Sequence, residues 1–291
     1  MSQKTIIYLV RHAQGHHNLC AANHALPDPS LTPLGESQCF ALRDSFPHHD
    51  KITHLVASPM RRTLYTCLLS FQPVVERLRV AHQGEKKRGV VVALPEVQEV
   101  SNLPCDVGSA PEKLHEEFDA QGGLVDLELV KEGWQDKESP ESPWRPDMEK
   151  LKARAEKARR WLFELARQGS PSSARSQADG VGEEKEQHIV VVTHGGFLHF
   201  LTQDFDGMDL NKGTGWENTE WRSYELVAEA EGVRLKETDE SWRKRKGDAK
   251  PLTETEQLEL IAAVDDRLRQ EFGDGVRRVG GKREGGERID V

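Results

Sequence analysis

Residues 5–10, TIIYLV, form an unbroken apolar and β-branched run, the pattern of a strand buried on both faces in a parallel sheet. The pattern returns at 188–196, HIVVVTHGG, where a β run ends in histidine and glycine and leads into FLHFLTQDF, read as a helix. Shorter strands are predicted at 53–58 (THLVAS) and 90–94 (VVVAL). Over 33–46, Thr32 supplies a cap, Pro33 stands at the first helical position, and Leu34, Phe40, Ala41 and Leu42 follow, which predicts a helix. A second helix is predicted at 60–71. The segment GEKKRG reads as a charged loop, and 95–108, PEVQEVSNLPCDVG, is too rich in turn residues to be regular.

From Arg145 to Arg167, Leu151, Ala155, Ala158, Leu162 and Leu165 draw an apolar stripe at three- and four-residue steps, the longest helix expected. Residues 169–187 hold one large apolar residue, Val181, so 170–186 is read as a disordered surface insertion. Two antiparallel strands at 221–228 and 232–237 turn around Glu231 and Gly232, and a helix at 253–271 precedes a frayed tail rich in glycine and charge. Strands alternating with helices predict an α/β fold: a mostly parallel central sheet flanked by helices on both faces, over 1–240, followed by a C-terminal helix and flexible tail over 241–291.

Composition narrows the class. With 291 residues, 36% hydrophobic and 31% charged, the chain can bury one solid core and leave polar segments outside it. No apolar run approaches the roughly 20 residues of a membrane span. The start MSQKTIIYLV is too short and polar for a signal peptide, so a cytoplasmic protein without a membrane partner is expected. A net charge of −9 argues against a nucleic-acid partner. Cys20, Cys39, Cys67 and Cys105 form no CxxC pair, and Cys105 lacks the histidine and arginine neighbours of a cysteine phosphatase, so reduced, mostly buried thiols are expected. The basic run Arg243 to Lys246 reads as a solvated loop in preference to a nuclear address or a phosphate-facing patch.

In a parallel sheet, ligands sit outside the carboxyl ends of the strands. Arg11 and His12 follow the first strand, Ser58 and Arg62 the second, Glu99 the third and His194 the fourth. This set suits phosphoryl transfer through histidine. A neutral imidazole, His12, attacks phosphorus. Arg11 and Arg62 bind the phosphoryl oxygens as forks. His194, the helix start near Gly195, and Asn18 add donors. Glu99 protonates the leaving oxygen and then activates water. Glu96 competes with Glu99, and Arg61 with Arg62; His16, His17 and His199 read as rim or packing residues, and Trp216, Asn218 and Glu220 as residues at the pocket mouth. His194 and His199 stand five apart and share no helix face, so neither a metal nor a cofactor is predicted.

Four segments in order, LVRHAQGHHN, PDPSLTPLGESQ, SPMRRT and VVTHGG, resemble the Arg-His, LTxxGxxQ, SPxxR and second-histidine motifs of the histidine phosphatase superfamily, which includes cofactor-dependent phosphoglycerate mutases; the likeness spans about 5–203. It implies a phosphoglycerate mutase-like fold, phosphorylation of His12, a phosphate held by Arg11, Arg62 and His194, and an acidic residue in the middle loop as acid and base. That loop resembles a fungal and plant branch of small phosphatases, whose QE position falls on Glu99. Two departures stand out. Ala13 replaces the usual glycine after the nucleophile, which requires a negative φ there, and the acidic-basic segment that the mutases place after their glutamate is missing. The expectation is a metal-independent phosphomonoesterase acting on a small phosphorylated metabolite. A mutase and a non-catalytic binding or scaffold member are the alternatives, and the oligomeric state stays open.

Overall fold

The computed structural model describes residues 4–81, 89–168, 186–208, 213–230 and 232–272. Its strands are β1 (Thr5–Arg11), β2 (His54–Ala57), β3 (Val91–Ala93), β4 (Val125–Asp126), β5 (Gln187–Thr193), β6 (Trp221–Glu229) and β7 (Gly232–Glu237). They form one sheet in the order β4-β3-β2-β5-β1-β6-β7. The two long apolar runs, β1 and β5, pair in parallel at its centre, with Thr5 opposite Gln187 and Arg11 opposite Thr193. β2, β3 and β4 continue the parallel part, and β6 and β7 close the other edge antiparallel. The mostly parallel α/β architecture read from the sequence is the one observed.

Because strand side chains alternate between faces, each central strand feeds two cores. Tyr8, Val10, Leu55, Ala57, Val190 and Val192 meet Leu42 of α1 (Pro33–Ser45), Leu64 of α2 (Arg61–Ser70), Val74 of α3 (Gln72–Ala81) and Phe118 of α4 (Pro111–Asp119). On the opposite face Ile7, Leu9, Val56, Ile189 and Val191 meet Leu151 and Leu162 of α5 (Met148–Gln168) and Leu198 of α6 (Gly195–Thr202). The helix α7 (Asp239–Lys246) packs beside β6, and α8 (Glu254–Phe272) lays Val264 and Leu268 into the α5 side. No helix among the described residues is long and apolar enough to cross a membrane.

The differences from the expected elements have local causes. The helix expected from Arg145 begins at Met148, because Asp147 Oδ1 accepts the Glu149 and Lys150 amides, both at 3.1 Å, and Pro146 biases residue 145 away from helix. α3 was not foreseen; Pro73 at its second position needs no amide donor there. α4 and the two-residue strand β4 were also missed. The basic run is a helix end rather than a solvated loop. Arg245 reaches Glu237 at 2.6 Å and Lys246 reaches Asp206 at 2.6 Å. Residues 169–185 of the expected insertion, most of the GEKKRG segment, Glu231 and the tail from 273 lie outside the described residues.

Candidate active site

His12 stands immediately beyond β1. Its amide donates to Thr193 O at 2.9 Å, and Asn218 Nδ2 donates to its carbonyl at 2.9 Å. The ring lies with Nδ1 2.7 Å from Ala13 O. A carbonyl only accepts, so Nδ1 carries the proton and Nε2 keeps its lone pair. Burial first, then the charges of Arg62, His17 and Arg11, hold the imidazole well below its ordinary pKa, hence neutral. Ala13 meets the condition its Cβ imposes: among the described residues only Asp28, Gln203 and Thr219 have positive φ without being glycine.

The LTxxGxxQ segment braces the loop that follows His12. Thr32 Oγ1 caps α1 by accepting the Gly35 amide at 3.0 Å, and Gln38 Oε1 accepts the Gln14 amide at 2.8 Å. A Cβ at Gly35 would stand 2.2 Å from Gln14 O, so only glycine lets the helix start approach this backbone. Ala13 N is held by Thr66 Oγ1 at 3.0 Å.

Arg62 is fully buried near the start of α2. Its Nη1 donates to Cys105 O at 2.6 Å, and Nη2 donates both to Asp106 Oδ1 at 2.8 Å and to His194 Nδ1 at 3.1 Å. His194 Nε2 lies 2.9 Å from Ser58 Oγ, and its ring centroid is 5.2 Å from that of His12. Arg11 donates through Nη1 to Trp216 O. The Nε atoms of Arg11 and Arg62 are both buried without a partner. Burial opposes charging Asp106, but Arg62 and Lys137 outweigh it and hold the carboxyl below its usual range.

Glu99 closes the start of α6. Oε1 accepts the Val100 and Phe197 amides at 2.9 and 3.0 Å, and Oε2 accepts the Gly196 amide at 3.3 Å. Burial and then Asp106 push its pKa up, against the Val100 amide, Arg62 and Lys137. The competing Glu96 pairs instead with Lys157 at 2.6 Å. Under the loop that carries Glu99, buried Lys137 donates to Glu99 O at 2.7 Å and Ser101 O at 2.9 Å, while Arg154 Nη2 reaches Gln98 O at 3.1 Å. Burial lowers Lys137 to about 7.

Arg11, His12, Arg62, Glu99 and His194 are thus brought together at one sheet edge. Gly195 begins α6, packed so closely on Thr214 that a Cβ would meet its Oγ1 at 2.2 Å. Asn18 is exposed and its Oδ1 accepts the Gly15 amide at 3.0 Å. Arg61 points away to Glu117 at 2.9 Å. Of the histidines read as rim or packing residues, His17 is buried against His12, and His199 packs between Asp204 O and Thr214 O. Asp106, Lys137, Thr66 and Asp28 were missed. Asp28 caps α2 through the Arg61 amide at 3.1 Å and holds Ser109 Oγ at 2.8 Å. Asp106 had a signal, being a carboxylate in a turn-rich loop after a strand; Lys137 had none. A separate cleft of about 400 Å³, lined by His48, Trp221, Glu240 and Lys244 among others, includes none of the five clustered side chains.

The family model of the histidine phosphatase superfamily (branch 1) matches residues 7–87. Phosphoglycerate mutase-like protein 1 of Arabidopsis thaliana is 32% identical over 223 residues, 66% of this chain and 68% of that protein. A probable phosphatase of Schizosaccharomyces pombe is 32% identical over 114 residues, 38% of this chain and 49% of that protein. The solved mycobacterial glucosyl-3-phosphoglycerate phosphatase is 18% identical with a TM-score of 0.43, covering 81% of this chain and 97% of its own. The chain belongs to the histidine phosphatase superfamily.

Proposed function

We propose that the chain is a metal-independent phosphomonoesterase for small phosphorylated metabolites, working through a phosphohistidine on His12. The observation that carries this reading is a neutral His12 with Nδ1–H pinned to Ala13 O, together with the guanidinium groups of Arg11 and Arg62, whose buried Nε–H groups have no acceptor among the described residues. In the first step the Nε2 lone pair attacks phosphorus in line, and the bond to the leaving oxygen breaks as that oxygen takes a proton from Glu99. Arg11 and Arg62 offset the charge on the three equatorial oxygens, with the His194 imidazole beside them. In the second step the Glu99 carboxylate removes a proton from water, the hydroxide attacks phosphorus, and the bond to His12 breaks. The raised pKa of Glu99 suits a group that must hold a proton and then lose it. Oε2, with the single longer contact of 3.3 Å, is the freer oxygen for that exchange. The two relatives, one named mutase-like and one a phosphatase, favour the chemistry common to both names, transfer of a phosphoryl group.

The protein, exhaustively chelated, is expected to release phosphate from p-nitrophenyl phosphate and from members of a metabolite panel, and orthovanadate should inhibit it as a transition-state mimic. Acid-labile phosphate should be trapped on the wild type and absent from His12→Ala. Activity lost on chelation and restored by zinc or magnesium overturns metal independence. Phosphate passed to a second hydroxyl instead of water would make it a mutase, and no turnover with any substrate would make it a binding member of the family.

A further inference from the structure

His17 occupies the short turn His16–Asn18 just after β1, with its ring centroid 5.4 Å from that of His12 and 7% of its surface exposed. Its Nδ1 is buried without a hydrogen-bond partner. Room for the ring comes from Gly15, where a Cβ would stand 2.8 Å from Nδ1. A buried ring nitrogen left without a partner costs stability, and an apolar ring would fill the same space without that cost. The Nε atoms of Arg11 and Arg62, whose charges act on this ring, are likewise buried without a partner.

We propose that His17 is a third imidazole of the phosphate cradle, donating a ring N–H to a non-bridging phosphoryl oxygen, and that it takes up one proton from solvent when the dianion binds. This rests on the reading of the site as a phosphoryl site. The charges around the ring explain the coupling. Arg62 of α2, Arg11 of β1 and His24 disfavour its protonation, Asp106 of the middle loop favours it, and His12 and His194 face it as further imidazoles. Burial is the largest influence and takes His17 down to about 3, so it is neutral in the free protein. A dianion between the two arginines offsets the positive field that keeps the proton away. Binding and protonation then favour each other, as linkage requires.

The test is titration calorimetry of the full chain with tungstate, a dianion that does not itself titrate near neutrality, in buffers of different ionisation enthalpy. The wild type should take up roughly one more proton per tungstate than His17→Phe, and His17→Phe should bind about 10- to 100-fold more weakly, as expected for one charge-assisted hydrogen bond. His17→Gln, which keeps a donor but cannot be protonated, should recover part of the affinity and none of the extra uptake. Equal affinity and equal proton count in wild type and both folded variants would overturn the role of His17 and leave the phosphoryl site standing. Absence of tungstate binding by the wild type would overturn the site reading itself, and the role of His17 with it.

Discussion

Arg62 decides which nitrogen of His194 carries the proton. Its Nη2 donates to His194 Nδ1 at 3.1 Å, and because a guanidinium cannot accept, the neutral ring must hold its hydrogen on Nε2, facing Ser58 Oγ at 2.9 Å. The same Nη2 is anchored by Asp106 Oδ1 at 2.8 Å, so one carboxylate orients both Arg62 and His194.

Removing that anchor should therefore damage fold and site together. Asp106→Ala leaves the buried Arg62 charge without its carboxylate, and a stability loss of about 3–5 kcal/mol in urea unfolding is expected. Asp106→Asn keeps an oxygen acceptor for Arg62 Nη2; it should lose less stability while phosphate release still falls. Stability unchanged in Asp106→Ala would show that Arg62 does not depend on this pair.

Acid catalysis by Glu99 should depend on how badly the leaving oxygen needs a proton. Glu99→Gln is expected to slow the phosphoenzyme burst from an alkyl phosphate by about 10² to 10⁴ fold, and the burst from p-nitrophenyl phosphate much less, since p-nitrophenolate leaves unaided. Pre-steady-state quench with both substrates reads this directly. Equal slowing would mean that Glu99 serves the α6 cap alone.

Two glycines separate backbone strain from displacement of the acid. A Cβ at Gly35 meets the Gln14 carbonyl at 2.2 Å, and backbone cannot swing aside, so Gly35→Ala should lower stability by about 1–3 kcal/mol in thermal unfolding. At Gly196 the Cβ meets Glu99 Oε1 at 2.7 Å, the end of a side chain that can rotate away. Gly196→Ala should keep most of its melting temperature and lose turnover of alkyl phosphates about 10² fold or more. The opposite ranking of the two variants would reverse the assignment.

Stability should fall on mild acidification. Burial holds His12, His194 and His17 below the ordinary value of 6.5, His17 down to about 3. Between those limits the unfolded chain binds more protons than the folded one, so the stabilisation is complete above about 6.5 and is lost as pH drops toward the folded values. Each such histidine contributes at most about 1.4 kcal/mol per pH unit. Glu99, with its raised pKa, opposes the trend on its own part of the scale. Urea midpoints at about pH 7.5 and about pH 5.5 should show the decline, and His17→Phe should flatten it. A pH-independent midpoint would mean that the buried imidazoles take up protons in the folded chain as readily as in the unfolded one.

The sheet and the strand ends at which the candidate residues gather were legible in the chain. β1 and β5 are unbroken β-branched runs, and the residues just beyond them, Arg11, His12 and His194, reach the site because parallel strands bring their carboxyl ends to one edge. The preference for Arg62 over Arg61 and for Glu99 over Glu96 also follows the motif spacing, and the rejected pair turns out to bind Glu117 and Lys157. α3, α4 and β4 were not legible. β4 has only two residues, too few for a period, and α3 follows α2 across Phe71 with no polar break.

Sequence by itself determined β1, β2, β3, β5, β6 and β7 with the helices α1, α2, α5, α6 and α8 between and after them, the family, and the clustering of histidines, arginines and a glutamate at one edge, because periodicity and short motifs are local properties of the chain. Tertiary structure alone decided the protonation pattern: Ala13 O sets the His12 tautomer, Arg62 sets that of His194, and Asp106 and Lys137 hold the loops on which Arg62 and Glu99 depend. It also turned His17 inward. Apart from the local His12–Ala13 contact, hydrogen bonds between residues 38 to 132 positions apart and burial in a shared core set these states, and neither leaves a period or a spacing in the sequence.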